Sequence, residues 1–188
     1  MLIEMRFSNF FSIKEEVCID FTAGNINTAG ARELSDNVFS VKEQTLLKVQ
    51  GLFGPNASGK SSILKAALFC RQLILDSFQN NEGTIFNFMP FKFDGCFEKP
   101  SSFFIDFITD GIEYEYSFKL TRNEILSEEL YYYPSKRKAK IFTRDESKGP
   151  TKSDIYSFGE SHFVKPLDVA QSAGKNTFRW FYINKYLI

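Results

Sequence analysis

Residues 54 to 61 read Gly-Pro-Asn-Ala-Ser-Gly-Lys-Ser, which satisfies the phosphate-loop pattern G-x-x-x-x-G-K-[ST] in full. Each residue type has a task that others perform badly. Gly54 and Gly59 let the backbone curl so that successive N–H groups point into one anion-sized hollow. Lys60 is the candidate catalytic residue, a mobile point charge that reaches β- and γ-phosphates, and the Ser61 hydroxyl is a candidate magnesium ligand. Pro55, Asn56, Ala57 and Ser58 span the two glycines and Ser62 follows, so Gly54 to Ser62 make up the candidate nucleotide contacts. The chemistry implied is the binding of a nucleoside triphosphate with its Mg²⁺.

Such a loop works only when a strand delivers it and a helix leaves it. Upstream, Leu46-Leu47-Lys48-Val49-Gln50-Gly51-Leu52-Phe53 is a short, mostly apolar run, as in a buried parallel strand. Downstream, Ile63, Leu64, Ala67, Leu68, Leu75 and Phe78 fall at helical spacing, which predicts a helix over Ser62 to Phe78. Strand, loop and helix stand in the order that turns a helix N-terminus toward the phosphates.

Composition bounds the rest. The 188 residues suffice for one substantial core, or one domain with an appendage. Lys plus Arg and Asp plus Glu number 23 each, so no global electrostatic case for nucleic acid arises, although a local patch remains open. With 22 Phe and 8 Tyr, much β structure is expected. No apolar run is long enough for a transmembrane helix, and the start does not resemble a signal peptide, so a cytoplasmic protein without membrane contact is expected. Cys18, Cys70 and Cys96 are far apart and read as reduced thiols, with Cys70 packed on the helix after the loop. His162, the single histidine, supports neither a metal cluster nor a histidine-based nucleophilic site.

Ile3 to Phe7 and Val17 to Phe21 alternate with period two, which predicts an antiparallel pair joined by a turn within Asn9 to Glu16. Residues 22 to 45 are rich in small and polar types and read as a surface excursion. The clearest hairpin runs from Phe103 to Leu120 around Asp110-Gly111, a type I′ turn pair. Ile125 to Tyr133 and Ile141 to Thr143 add a third and a fourth strand. Asp145 to Asp154 reads as a loop, and from Val164 the pattern shifts toward helix. The expected division is a nucleotide-binding lobe over 1–163, with its antiparallel sheet at 101–144, and the start of a helical region over 164–188.

Antiparallel strands on both sides of a strand-loop-helix unit resemble the first lobe of ABC-type ATPases, the group of SMC, RecF and OLD proteins. The opening Met-Leu-Ile-Glu-Met-Arg-Phe-Ser-Asn-Phe-Phe-Ser-Ile-Lys-Glu-Glu is similar to that group's strand running into Asn-Phe, and Gly-Pro-Asn-Ala-Ser-Gly-Lys-Ser-Ser to its form of the loop. The Asp-Gly hairpin, Glu128 to Tyr133 and Ile141-Phe142-Thr143-Arg144 resemble AAA-type ATP-binding proteins of bacterial abortive-infection defence. The resemblance implies an α/β phosphate-loop NTPase with mixed and antiparallel sheet around the loop helix. It further implies ATP and Mg²⁺ as ligands, dimerisation with a second head, and a nuclease, another effector or DNA as partner. Relatives place an Arg after Asn-Phe, near the phosphates; Phe11 stands there instead, so no phosphate contact is assigned to it, and Lys14 reads as a solvated turn lysine.

Hydrolysis in this group needs an apolar strand ending in Asp, normally followed by Glu. Leu73-Ile74-Leu75-Asp76 and Phe103-Phe104-Ile105-Asp106 imitate it, but the first falls on the loop helix and the second in the hairpin. No Leu-Ser-Gly-Gly-like signature is present, and Gln171 is a weak candidate for a Q-loop glutamine. The chain therefore reads as the N-terminal part of a longer ATPase or one half of a pair. A regulatory module that binds nucleotide without hydrolysing it is the alternative. A small-molecule kinase is disfavoured by the strands ahead of the loop, and a GTPase by Tyr186-Leu187 after Asn184-Lys185. The basic stretch Ser135 to Lys140 could touch a phosphate backbone but reads more simply as a solvated hairpin tip.

Overall fold

The computed structural model describes residues 1–25, 28–33, 35–76 and 85–159. In chain order the elements are β1 (Leu2–Ser8), β2 (Val17–Asp20), α1 (Ala29–Glu33), β3 (Val38–Val41), β4 (Gln44–Leu47), α2 (Lys60–Asp76), β5 (Ser101–Thr109), β6 (Ile112–Leu120), β7 (Ile125–Tyr133), β8 (Ala139–Asp145), α3 (Lys152–Ile155) and β9 (Tyr156–Phe158). One seven-stranded sheet has the order β2-β1-β5-β6-β7-β8-β9, and every described neighbour pair in it is antiparallel.

Period-two alternation builds this sheet as expected. Met5, Phe7, Phe103, Tyr114, Tyr116, Phe118, Leu120 and Leu130 turn to one face and are buried there. The β5–β6 turn has φ of 50° at Asp110 and 74° at Gly111, with Thr109 opposite Ile112, the positive-φ pair that a two-residue hairpin requires. The helix α2 lays Ala66, Cys70 and Leu73 on the buried face, and its Phe69 meets Phe10 and Phe88 beside them. The Phe7, Phe103 and Phe118 rings stack in sequence, with centroids 6.2 and 5.0 Å apart. Full burial of each such ring contributes roughly 1.5–3 kcal/mol, so this aromatic layer sets where α2 docks. Burial also pushes the Cys70 thiol well above its ordinary pKa, which leaves it an unreactive core residue.

Two expectations require correction. Residues 38–47 form a hairpin, β3–β4, within what composition suggested was surface excursion. Leu46 from that hairpin is fully buried with Ile3 and Ile108, packed by Phe39 and Val41. Four-residue strands are too short to stand out from polar surroundings. The run 46–53 is also not a buried parallel strand: β4 ends at Leu47 and pairs antiparallel with β3, while Val49 and Phe53 are 75% and 94% exposed. Apolar composition signalled a need for cover, but no described strand lies alongside to supply it. The mixed sheet accordingly reduces to an antiparallel one over the described residues. The expected helical region 164–188, Gln171 and His162 lie outside the described residues.

The core also holds charge. Glu128 and Arg144 are buried to within 1% on neighbouring strands β7 and β8. Tyr116 Oη donates to Glu128 Oε1 at 2.6 Å, and Arg144 donates from Nε and Nη2 to Glu146 Oε1 at 2.8 and 2.6 Å. Arg144 Nη1 stands 3.9 Å from Glu128 Oε2, which completes a Tyr-Glu-Arg-Glu chain.

On the opposite sheet face, Glu4, Asp106 and Glu115 lie in one cross-strand row. Burial, reinforced by Glu113, Glu115 and Glu4, pushes the Asp106 carboxyl from 3.8 up to about 7. Between those values the folded chain holds a proton that the unfolded chain has released, so stability falls as pH rises through that window. An Asp106→Asn variant should match the parent at about pH 3.5, below both values, and exceed it at pH 8. The gain is about 1–2 kcal/mol after discounting for solvent screening. Urea unfolding at the two pH values checks this; an equal shift at both would refute the assignment.

Candidate functional site

The phosphate loop takes its shape from backbone conformations that its residue types permit. Gly54 and Gly59 have φ of +157° and +92°, and Ala57 has φ of 63°. At Gly59 a Cβ would lie 2.9 Å from Ile13 Cδ1, and at Gly54 one would lie 2.9 Å from Ser58 Oγ. The helix α2 begins at Lys60, with Ser62 N and Ile63 N donating to Gly59 O at 2.9 and 3.2 Å. Among the described residues, the N–H groups of Asn56, Ala57, Gly59, Lys60 and Ser61 make no backbone hydrogen bond. Free donors at a helix N-terminus, around a curled loop, form an anion cradle.

Lys60 reaches back over that cradle. Its Nζ donates to Gly54 O at 2.8 Å and Pro55 O at 2.6 Å, with Ser58 Oγ at 3.4 Å. The ammonium is thus held in the curl of the loop, ready to exchange carbonyl oxygens for phosphate oxygens. Ser61 is exposed on the first turn of α2, whereas Ser62 is buried. Ser62 Oγ shares a hydrogen bond of 2.7 Å with Ser12 Oγ, so it also serves to clamp the loop helix to the β1–β2 turn.

That turn is the part of the site that sequence reasoning missed. Asn9 sits at φ 53° and is 6% exposed, and its side chain ties together segments far apart in the chain. Asn9 Nδ2 donates to Cys96 O and Lys99 O, both at 2.8 Å, and its Oδ1 accepts from Phe91 N at 3.0 Å. Ser101 Oγ donates to Asn9 O at 2.6 Å. With Phe11 N donating to Met89 O at 2.7 Å, the Phe10–Ile13 turn is pinned between β5 and the segment at 86–93. Ile13 then abuts Gly59 and Ser12 meets Ser62, so Asn9 positions the phosphate loop from a distance. The signal available was the left-handed preference of Asn, read together with Pro90 and its aromatic neighbours.

Neither imitation of a hydrolytic carboxylate strand reaches the loop. Leu73 to Asp76 ends α2, ~24 Å along the helix from Lys60 at 1.5 Å per residue. Asp106 projects from the sheet face opposite to the one on which α2 packs. Lys14 binds Asp94 at 2.9 Å and not the loop. In the basic stretch, Lys136 pairs with Glu43 at 2.6 Å, Lys138 pairs with Glu115 and lies 4.4 Å over the Tyr131 ring, and Lys140 bonds Ser157 Oγ at 2.7 Å. Three of its cations are therefore engaged within the chain.

The family model described as "AAA domain, putative AbiEii toxin, Type IV TA system" matches residues 50–176. That span starts just ahead of Gly54 and covers more than half of the 188 residues. The chain belongs to this AAA family. No curated protein matches it. Membership makes it a phosphate-loop NTPase of the abortive-infection type and implies nucleotide binding, typically with Mg²⁺. The AAA domain's own residues fit that pair: the loop offers unpaired N–H donors and Lys60 to phosphate, and Ser61 offers a hydroxyl to the cation. No helix among the described residues of the AAA domain is long and apolar enough to cross a membrane.

Proposed function

We propose that the chain is the ATP-binding head segment of an ABC-type ATPase, serving a bacterial defence or DNA-maintenance system through ATP-driven pairing of two heads. The observation that carries this reading is the cradle itself: a left-handed glycine loop, an unpaired helix N-terminus and Lys60 folded into the curl. Bound ATP would lie along Gly54 to Ser62, with Mg²⁺ at Ser61, and a nuclease, another effector or DNA would respond to the paired state. A cytoplasmic location suits such a role.

The reading also accounts for an uncovered apolar face. Val49, Leu52 and Phe53 precede the loop, and Leu64 and Leu68 follow on one side of α2, exposed by 60% and 64%. Strands from the remainder of a head, pairing along 49–53, would cover these side chains and carry in the missing hydrolytic carboxylate. An inert regulatory module is the second reading, favoured because neither Asp-terminated segment reaches the loop.

Calorimetric titration of the chain with Mg-ATP is expected to show binding without turnover. Supplying the remainder of the head should restore hydrolysis and give an ATP-dependent dimer in sedimentation. Binding without turnover even then would select the regulatory module, and absence of binding would reject both.

A further inference from the structure

The curl of the phosphate loop holds itself weakly. The N–H groups of Asn56, Ala57, Gly59, Lys60 and Ser61 gather around one hollow without backbone acceptors among the described residues. Donors crowded in this way repel one another until an anion arrives. Within the loop, Ser58 N donates to Pro55 O at a long 3.4 Å, and Lys60 Nζ ties Gly54 O to Pro55 O. Lys60 must leave those carbonyls to meet phosphate. From that moment the loop depends on a brace from outside.

The Phe10–Ile13 turn is placed to supply that brace. Phe10 and Ile13 exchange both backbone hydrogen bonds, at 2.8 and 2.9 Å, so the turn is closed on itself. Phe10 is fully buried and stacks on Phe88 at 5.7 Å, which roots the turn in the aromatic layer. Its tip meets the loop at two points. Ile13 Cδ1 fills the space into which a side chain at Gly59 would project, 2.9 Å from where its Cβ would stand. Ser12 Oγ lies 3.5 Å from the same point and shares its 2.7 Å bond with the Oγ of buried Ser62. Phe11, between Phe10 and Ser12, brings no charge to phosphate, so the turn acts on the loop through shape.

Resting on the phosphate-loop reading above, we propose that Ser12 and Ile13 are positioning residues for triphosphate binding, acting through Ser62 and Gly59 without touching phosphate themselves. Ile13 blocks Gly59 from relaxing toward the turn. Ser12 fixes the first turn of α2 through Ser62, so the donors stay gathered while Lys60 exchanges its partners. A loop already held in its binding shape loses less conformational freedom when the anion arrives, and the difference appears as affinity. Phosphate affinity is therefore set in part from a turn whose Ser12 lies 50 residues ahead of Ser62.

Calorimetry on the full chain with Mg-ATP and magnesium tripolyphosphate tests this. Ser12→Ala should weaken both ligands equally, by about fivefold, the worth of one neutral hydrogen bond. Ile13→Ala should likewise weaken both by about fivefold. Lys14→Ala, on the same turn but directed to Asp94, should leave both affinities unchanged. Because Ser12 acts through Ser62, adding Ser12→Ala to Ser62→Ala should weaken binding no further. Ser12 is exposed, so its variant keeps the experiment decisive even if Ile13→Ala disturbs the core. Affinity within about twofold of the parent in either folded variant would remove that residue from the role. A loss confined to ATP, an equal loss in Lys14→Ala, or additive losses in the double variant would overturn positioning by the turn altogether. Failure of the parent to bind either ligand would overturn the phosphate-loop reading and this role with it.

Discussion

Arg144→Ala should cost the fold about 3–5 kcal/mol, the scale measured when one partner of a buried ion pair is removed. Arg144 is 1% exposed and bridges Glu146, at 2.6 Å, and Glu128, which itself accepts from Tyr116. Removing the guanidinium leaves Glu128 fully enclosed with the Tyr116 hydroxyl as its remaining hydrogen-bond donor in this chain of groups. Burial and the adjacent Glu128 already hold the Tyr116 phenol well above its usual pKa, so it stays a donor. Against a typical stability of about 5–15 kcal/mol, the loss would approach the whole margin of a small domain. The double variant Arg144→Met with Glu128→Gln should recover much of it, because the fully enclosed charge is then gone and the remaining carboxylate, Glu146, reaches solvent. Urea unfolding of the parent, the single and the double variant measures both effects. A single-variant loss under about 1 kcal/mol would show that the pair is open to water.

The same network illustrates what strand alternation does and does not reveal. Glu128 shares a sheet face with Leu130, and the period-two pattern does place it inward. Only the register of β7 against β6 and β8, with its irregularity at Leu130/Tyr131, shows that Arg144 and Tyr116 are there to meet it. Hairpin 101–120 was legible because alternation and Asp110-Gly111 are local signals. The phosphate loop was legible for the same reason, since its chemistry sits in eight consecutive residues.

What escaped depends on distance along the chain. Asn9 reaches Cys96 across 87 residues, and no local pattern announces that bond. The bond between Ser12 and Ser62 likewise joins segments that lie far apart in the chain. Apolar runs misled for a related reason. Residues 49–53 and one side of α2 state a demand for burial, but a sequence does not say which partner meets it. The exposed Phe53, Leu64 and Leu68 show that demand unmet among the described residues.

Lys60→Ala separates the two roles that the loop residues play, holding the fold and holding phosphate. The ammonium's bonds to Gly54 O and Pro55 O face solvent, so losing them should change stability by no more than about 0.5 kcal/mol. Alanine also suits the first position of α2, so the helix start is preserved. Toward a triphosphate the same group makes charge-assisted hydrogen bonds worth roughly 1.5–3 kcal/mol each. Two such bonds correspond to an ATP affinity lower by about a hundredfold or more. Arginine should not rescue it, because a planar guanidinium does not reproduce the compact point charge that Nζ places against Gly54 O and Pro55 O. The separation is read by titrating Mg-ATP into the parent and both variants after matching their urea midpoints. An alanine variant that binds ATP within about threefold of the parent would take Lys60 out of the site.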